Sequence, residues 1–191
     1  MTWLTEQEIE RMGFAFVASD AMLSAKASYF NCSQIAIGSR SRIDDFAILS
    51  AGDGGITIGS NVHIAAFCLL AGKSEIRLDD FSGLSSRVSI YSSSDDYSGA
   101  ALTNPTVAKE FTGVRSATVH LGKHVVLGSG SVVLPGTHFG EGAALGALSL
   151  ANGKYEAFGV FAGVPARLVR DRQRGLIEKE RQYRVFLQDK E

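Results

Sequence analysis

The sequence predicts a mainly-β protein, a parallel β-helix of about five coils built from hexapeptide repeats. Within residues 119–148 a bulky apolar residue stands at every sixth position, and these residues are Leu121, Leu127, Val133, Phe139 and Leu145. A helix repeats about every 3.6 residues and a strand every two, so a period of six fits neither element alone. Short strands that turn a corner every six residues, three to a coil, do fit this period.

The same spacing occurs earlier in the chain, in three groups separated by small shifts of phase. The apolar residues of these groups are Ile37, Ile43, Leu49, Ile58, Ile64, Leu70, Leu78, Leu84 and Ile90. Residues 92–118 lack the repeat and are long for a connection inside a compact domain. We therefore expect the coils to occupy residues 35–167, with residues 92–118 ejected from them as a loop.

Both ends of the chain carry helical signals. Thr5 and Glu8 have the spacing of a capping box, which predicts a helix over about residues 5–12. A helical pattern also runs from about Asp171 to Gln188. Residues 13–34 are expected to cover the first coil, because its strand edge would otherwise be unpaired. The predicted organisation is an N-terminal helix and cap (1–34), a β-helix (35–167) and a C-terminal helix (168–191).

Composition and charge exclude several classes of function. The net charge of −1 leaves no electrostatic footprint for nucleic acid. Cys32 and Cys68 have neither metal-site nor disulfide spacing, which indicates a reduced, cytoplasmic setting. The first residues do not resemble a secretory signal, and no apolar run approaches the roughly 20 residues of a membrane span.

The hexads, the loop after the third coil, and the sequence A-G-V-P-A-R-L-V-R at residues 162–170 together resemble the left-handed β-helix acyltransferases. The similarity covers about residues 35–170. It is strongest to the sugar O- and N-acetyltransferases, such as the galactoside, maltose and polysaccharide-modifying enzymes. The resemblance implies a left-handed helix, a homotrimer with active sites between subunits, acetyl-CoA as the acyl donor, no metal, and a sugar or nucleotide-sugar acceptor.

The resemblance also implies a set of cofactor-binding residues. Small residues would lie beside the pantetheine arm, a turn would lie beside the cofactor, and two basic residues would meet the CoA phosphates. In this order the residues are Ser129 and Ala147, then Gly163, Pro165 and Ala166, then Arg167 and Arg170. A guanidinium suits the last role because its hydrogen bonds to phosphate are charge-assisted and often bidentate. Alternatively, the two arginines simply begin a solvated helix.

Members of the family activate the acceptor hydroxyl with a histidine just after the third coil, and no histidine occurs at this place. Residues 92–99 read S-S-S-D-D-Y-S-G. One interpretation makes Asp95 or Asp96 the base, since adjacent carboxylates raise each other's pKa. A second makes His120 the base, oriented by one of these aspartates, or makes His63 the base. His124 and His138 are interpreted as surface residues.

A third interpretation needs no protein base, because an amine acceptor is already nucleophilic when it arrives unprotonated. Residues 92–99, including Tyr97, would then bind the acceptor. Asp80 matches a corner aspartate that contacts sugar hydroxyls in the family, although a simple turn former explains it equally well.

Three functions compete at this stage. The first is acetyl transfer from acetyl-CoA to a sugar hydroxyl or amine, by direct attack on the thioester. The second is a non-catalytic β-helix scaffold that has lost the family histidine, for which CoA binding would be absent. The third is a zinc enzyme like the γ-class carbonic anhydrases, which would require three converging histidines, such as His63, His120 and His124.

Overall fold

In the computed structural model, which describes residues 2–189, the chain winds into a three-sided coil of stacked parallel strands. We name its three sheets faces 1, 2 and 3, in the order in which the chain visits them. Face 1 contains Phe16–Val17, Ile35–Ile37, Ile56–Ile58, Ile76–Leu78, Val119–Leu121, His138–Phe139 and Lys154–Tyr155. Face 2 contains Met22–Leu23, Arg42–Ile43, His63–Ile64, Gly83–Leu84, Val126–Leu127, Ala144–Leu145 and Gly159–Gly163. Face 3 contains Ser28–Phe30, Ile48–Ala51, Leu69–Gly72, Ser89–Tyr91, Val132–Val133 and Leu150–Ala151.

The first corner lies between faces 1 and 2, the second between faces 2 and 3, and the third between faces 3 and 1. The ejected loop leaves at the third corner and begins and ends with an antiparallel pair, Ser93–Ser94 with Arg115–Ser116. Two short 3₁₀ turns, Cys32–Gln34 and Lys109–Phe111, complete the irregular segments. The predicted β-helix with an ejected loop is thus confirmed.

The hexad residues form the core of the coil. All fourteen apolar residues that the six-residue period selects point inward, and none of them is more than 3% exposed. Burying one such side chain stabilises the fold by about 1.5–3 kcal/mol. Because the repeated burial comes from stacking, each coil depends on its two neighbours.

The coils number six complete turns and two sides of a seventh, more than the predicted five. Residues 16–30, predicted to be part of a cap, form a full first coil that pairs in parallel with the second. Its inward residues, Val17, Leu23 and Tyr29, keep the six-residue spacing. The prediction was wrong here because the third inward position holds Tyr29, whose hydroxyl sets it apart from the apolar residues that define the hexad pattern.

A helix and a hairpin lie at the two ends of the coil, and a second helix packs along its side. The N-terminal helix, Glu6–Met12, begins with the predicted capping box between Thr5 and Glu8. At the other end, Ala166–Asp171 turns back and pairs antiparallel with Gly159–Gly163. The C-terminal helix therefore begins at Gly175, not near Asp171, and ends at Gln188. Within residues 2–189 neither helix has the length and apolar character needed to cross a membrane.

The C-terminal helix is held against the first corner by a partly buried ion cluster around Glu180. Its carboxylate lies 3.0 Å from Lys123 Nζ, 2.6 Å from His124 Nε2 and 2.7 Å from Arg184. Burial opposes ionisation of Glu180, but the hydrogen bonds from these three residues outweigh it and lower the pKa to about 2. His124, expected on the surface, is buried beneath the helix.

An aromatic contact supports the same docking. Tyr183 of the helix meets the ring of Phe81 edge to face, and its hydroxyl donates a hydrogen bond to Asn61 at 3.2 Å. Phe81 in turn stacks on the ring of His124. The helix thus contacts three successive coils at the first corner and ties them together.

We predict that Glu180→Gln lowers the free energy of unfolding by about 2 kcal/mol at pH 7, because hydrogen bonds to a charged group contribute roughly 1.5–3 kcal/mol. The folded-state pKa of Glu180 is depressed, so its contribution is complete above the ordinary value of 4.5 and is lost as the pH falls towards 2. Urea unfolding at pH 7 and pH 3 measures both effects, and the difference between wild type and variant should be smaller at pH 3.

The matched control is Glu178→Gln on the same helix. Glu178 pairs directly with Arg181 at 2.9 Å, and both side chains are exposed. Because exposed pairs contribute little to stability, the unfolding midpoint of this variant should hardly differ from that of the wild type. If the two variants lose equal free energy of unfolding, Glu180 makes no specific contribution to holding the helix.

Candidate active site

Asp96 fixes the start of the ejected loop. Its carboxylate accepts hydrogen bonds from the backbone N–H groups of Ser98, Ala100 and Ala101 at 3.0–3.2 Å, and from the Ser98 hydroxyl at 2.8 Å. The hydroxyl and the amides lower the pKa of Asp96 to about 2. A carboxylate that caps four donors of its own loop is a structural group and a weak base.

Asp95, its neighbour, is different. Among residues 2–189 no hydrogen bond or ion pair engages its partly exposed carboxylate, and Ser94 donates only to its backbone carbonyl. Tyr97 follows at the same end of the loop with 93% of its side chain exposed. Of the predicted acceptor-side residues, Asp95 and Tyr97 are therefore the two whose functional groups are available to a ligand.

His120 lies on face 1 in a network of its own. Its Nε2 is 2.8 Å from Asp79 Oδ2, and its Nδ1 is 3.2 Å from Nδ1 of His138 on the next coil. Asp79 also accepts a hydrogen bond from Arg77 at 2.8 Å. Burial and the nearby His120 lower the pKa of His138. The carboxylate that orients His120 is thus Asp79, whereas the sequence suggested Asp95 or Asp96.

The other polar candidates are dispersed over the coil. His63 stands on face 2, with Nε2 at 2.9 Å from Asp44. Asp80, at the first corner, accepts a hydrogen bond from the Ser60 N–H at 2.8 Å and lies 3.7 Å from Arg184. A shallow groove of about 300 Å³ runs beside it, lined by Thr57, Gly59, Arg77, Leu78, Asp79, Asp80 and Lys123.

The zinc alternative fails on this geometry. His63 is on face 2, His120 is on face 1, and His124 lies under the C-terminal helix. Within the part of the chain that the structure describes, no three histidine, cysteine or acidic side chains converge in a way that could hold a metal ion.

The predicted cofactor residues, by contrast, form one strip. Ser129 and Ala147 are exposed at the second corner on successive coils, where the Leu148 N–H donates to the Ser129 carbonyl at 2.9 Å. The strip continues into the C-terminal hairpin, because the Gly163 N–H donates to the Ser149 hydroxyl at 3.0 Å.

The hairpin turn carries the remaining cofactor candidates. It contains Gly163, a cis peptide bond before Pro165, and a buried Ala166. Arg167 and Arg170 follow on the outer strand, both exposed. Within residues 2–189 neither guanidinium pairs with a carboxylate, since their hydrogen bonds go to neighbouring backbone carbonyls. Both arginines are thus free to meet phosphate.

One feature of the second corner was missed by sequence reasoning. Phe46 and Phe67, on successive coils, stack with ring centroids 5.1 Å apart and are about half exposed. Arg87, on the next coil, places its guanidinium 5.0 Å from the centroid of Phe67. Their spacing of 21 and 20 residues, about one coil, was the available signal, but these corner residues lie outside the apolar hexad pattern.

Comparison with known proteins gives whole-length relatives, although no known family model matches the chain. The chain is 46% identical over 180 residues to a dTDP-4-amino-4,6-dideoxy-D-glucose acyltransferase of Escherichia coli, and the match covers 94% of each chain. It is also similar to AntD, an N-acyltransferase of Bacillus cereus solved with dTDP and 3-hydroxybutyryl-CoA. That match has a TM-score of 0.93 at 37% identity and covers 97% of this chain and 98% of AntD.

Variants of AntD have been solved as well. One, in complex with dTDP-4-amino-4,6-dideoxyglucose and coenzyme A, matches with a TM-score of 0.91 at 37% identity, covering 95% of this chain and 97% of the variant. The variants are substituted either at a serine or at an aspartate ten positions further along the AntD chain.

We predict that Asp96→Asn loosens the loop, because the amide cannot accept all the hydrogen bonds of the carboxylate. Hydrogen exchange at the Ala100 and Ala101 amides should accelerate about tenfold or more. Asp95→Asn, which makes the same change one residue earlier, should leave this exchange unchanged. Equal acceleration by both variants would show that Asp96 is not a specific cap.

Proposed function

The chain belongs to the hexapeptide-repeat β-helix family of sugar acyltransferases, and we propose that it transfers an acyl group from acyl-CoA to the amine of a dTDP-linked amino-dideoxy sugar. The observation that carries the proposal is the similarity over nearly the whole chain to enzymes of this kind. An AntD variant has been solved with both coenzyme A and dTDP-4-amino-4,6-dideoxyglucose. The chain is therefore an acyltransferase with acyl-CoA as its donor, and the dTDP-amino sugar is the proposed acceptor.

We assign the donor to the strip at the second corner. The thin pantetheine arm would lie against Ser129 and Ala147, where small side chains allow close approach. The CoA phosphates would meet Arg167 and Arg170, whose guanidinium groups pair with no carboxylate among residues 2–189. Acetyl-CoA is the simplest donor, and 3-hydroxybutyryl-CoA, which is bound to AntD, is the other to test.

We assign the acceptor amine to Asp95. An alkylamine is mainly protonated at neutral pH, so a carboxylate attracts it and then accepts its proton. The amine lone pair attacks the thioester carbonyl carbon, the new C–N bond forms, and the C–S bond breaks. The sulfur leaves as a thiolate, and the second proton that the nitrogen loses passes through water to this thiolate, which gives the free thiol of CoA. No histidine at the start of the loop is required for an acceptor of this type.

Chain spacing supports the choice of Asp95. In AntD a serine and an aspartate ten positions apart have been substituted. In this chain the pairs Ser85 with Asp95 and Ser86 with Asp96 have the same spacing. Asp96 already caps the loop, which favours Ser85 and Asp95 as the corresponding pair.

A homotrimer would bring these groups together. Ser85 and Ser129 are at the second corner, whereas Asp95 enters the loop at the third corner. The outward residues of face 3 form one cross-strand column that is apolar at four of its six positions, and the column runs through Ser28, Ile48, Leu69, Ser89, Val132 and Leu150. The corresponding column of face 1 is polar or charged at its last five positions, and it runs through Phe16, Ala36, Thr57, Arg77, His120, His138 and Lys154. The mainly apolar column makes face 3 the best candidate for the contact around a threefold axis.

The symmetry then determines which corners meet. When three chains turn face 3 towards a common axis, the second corner of one chain abuts the third corner of the next, and the head-to-tail ring closes. Asp95 of each chain would lie beside the donor strip of its neighbour. Tyr97, exposed in the single chain, would line the same cleft.

We predict that the protein acylates dTDP-4-amino-4,6-dideoxyglucose and that Asp95→Asn lowers kcat by about 100-fold or more, the usual range for loss of a general base. His120→Gln should change kcat less than about threefold, because His120 belongs to the face 1 network. Thiol release and the product mass measure both. No acylated product with either donor would refute the acceptor assignment, and activity lost only in His120→Gln would transfer the base role to His120.

We predict a trimer by sedimentation, and that Leu69→Glu dissociates it and abolishes activity, since three buried carboxylates would then face one another. The matched control is Val126→Glu, because Val126 also points outward from a strand but on face 2. This variant should remain trimeric. If Val126→Glu dissociates the trimer and Leu69→Glu leaves it intact, the interface is on face 2 and the assignment to face 3 is refuted.

A further inference from the structure

We propose that Arg87 binds the diphosphate of the nucleotide-linked acceptor, and that the stacked rings of Phe46 and Phe67 hold Arg87 in position to do so. This assignment rests on the proposed function, because it concerns the acceptor side of the same site. It names the residue that recognises the nucleotide part of the acceptor, distant from the amine that reacts.

The first observation is the geometry of a four-layer stack at the second corner. Lys26 lies 5.9 Å from the centroid of Phe46, the two rings are 5.1 Å apart with planes 19° from parallel, and the Arg87 guanidinium lies 5.0 Å from the centroid of Phe67. A guanidinium that rests on a ring loses much of its rotational freedom. Arg87 is therefore pre-organised at low entropic cost for whatever it binds.

The second observation is that only one of the two cations in the stack has a carboxylate partner. Lys26 lies 3.7 Å from the carboxylate of Asp45. Arg87 is exposed, and among residues 2–189 no carboxylate lies within ion-pair distance of it. An anchored arginine without a counter-ion offers a planar pair of donors, which matches the oxygens of a phosphate better than a lysine does.

The third observation is the position of Arg87 on the donor strip. The Gly130 N–H donates to the Ser86 carbonyl at 3.1 Å, which joins two adjacent coils at the second corner. Arg87 follows Ser86 on one coil and Ser129 precedes Gly130 on the next, and the two coils are roughly 4.8 Å apart. The proposed CoA phosphate ligands, Arg167 and Arg170, lie on the opposite side of Ser129 and Ala147. Arg87 thus stands beyond the acyl end of the donor arm, where the acceptor has to approach.

The chemistry of the acceptor agrees with this position. A dTDP-sugar carries its two negative charges on a diphosphate next to the sugar. With the amine at the thioester, the diphosphate has to be accommodated close to the reaction centre. Arg87, which has no ion-pair partner among residues 2–189, provides the opposite charge there.

The test compares three variants with the wild type by calorimetry, with dTDP and with CoA as separate ligands. Arg87→Gln should weaken dTDP binding about tenfold or more and change CoA binding less than about twofold. The double variant Arg167→Gln/Arg170→Gln should weaken CoA binding about tenfold or more and change dTDP binding less than about twofold. Arg174→Gln is the matched control, because Arg174 also lies on an aromatic ring, 4.2 Å from the centroid of Phe158, but near the other end of the coil. It should leave dTDP binding unchanged.

Phe67→Leu tests the positioning role, because leucine keeps the apolar volume and removes the ring. The KM for the amino sugar should rise about threefold, with kcat at saturating acceptor and the KM for acyl-CoA unchanged. Arg87→Lys should be intermediate between wild type and Arg87→Gln.

Three results would overturn the inference. They are weakened CoA binding in Arg87→Gln, unchanged affinity of Arg87→Gln for both ligands, and dissociation of the trimer in Arg87→Gln or Phe67→Leu, which would show that the stack holds the subunits together. Absence of dTDP binding by the wild type is a separate outcome, which would refute the proposed acceptor itself.

Discussion

Backbone hydrogen bonds between successive coils are the constraint on which the rest of this structure depends. They hold neighbouring strands about 4.8 Å apart on each face, so residues one coil apart in sequence become vertical neighbours at every corner. Single side chains thereby form columns: the buried hexads inside, the stacked Phe46 and Phe67 at the second corner, and His138 above His120 on face 1. Each functional group is positioned by this register and needs little support from its own segment.

The coil could be predicted from the sequence because burial recurs with a fixed period. Five residues were assigned to the core from spacing alone, and all are buried: Leu121, Leu127, Val133, Phe139 and Leu145. The periodic signal weakens where a residue with a polar group occupies an inward position, as Tyr29 does, and the first coil was missed for that reason. The hairpin strand at Arg167 was also missed, because a strand that pairs across one turn leaves no hexad.

The site was less predictable, since its contacts join residues that are distant in sequence. Spacing placed His120 next to the loop, but it could not show that Asp79, 41 residues earlier, lies one coil below and binds it. Nor could it separate Asp95 from Asp96. The two carboxylates are adjacent in the chain, yet one satisfies the backbone donors of its own loop and the other remains available. This difference between the two carboxylates depends on the turn geometry of residues 98–101.

The strand Ala166–Asp171 has a consequence for how the protein behaves in solution. A parallel coil presents an open edge at its last turn, and an open edge recruits further strands end to end. Here the chain covers the face 2 part of that edge with its own reversed segment, which carries the exposed Arg167 and Arg170. Like charges on two such segments repel each other. The guanidinium groups proposed to attract the phosphates of the donor therefore also oppose end-to-end pairing of two coils at face 2, so the same charge would serve substrate recognition and disfavour self-assembly.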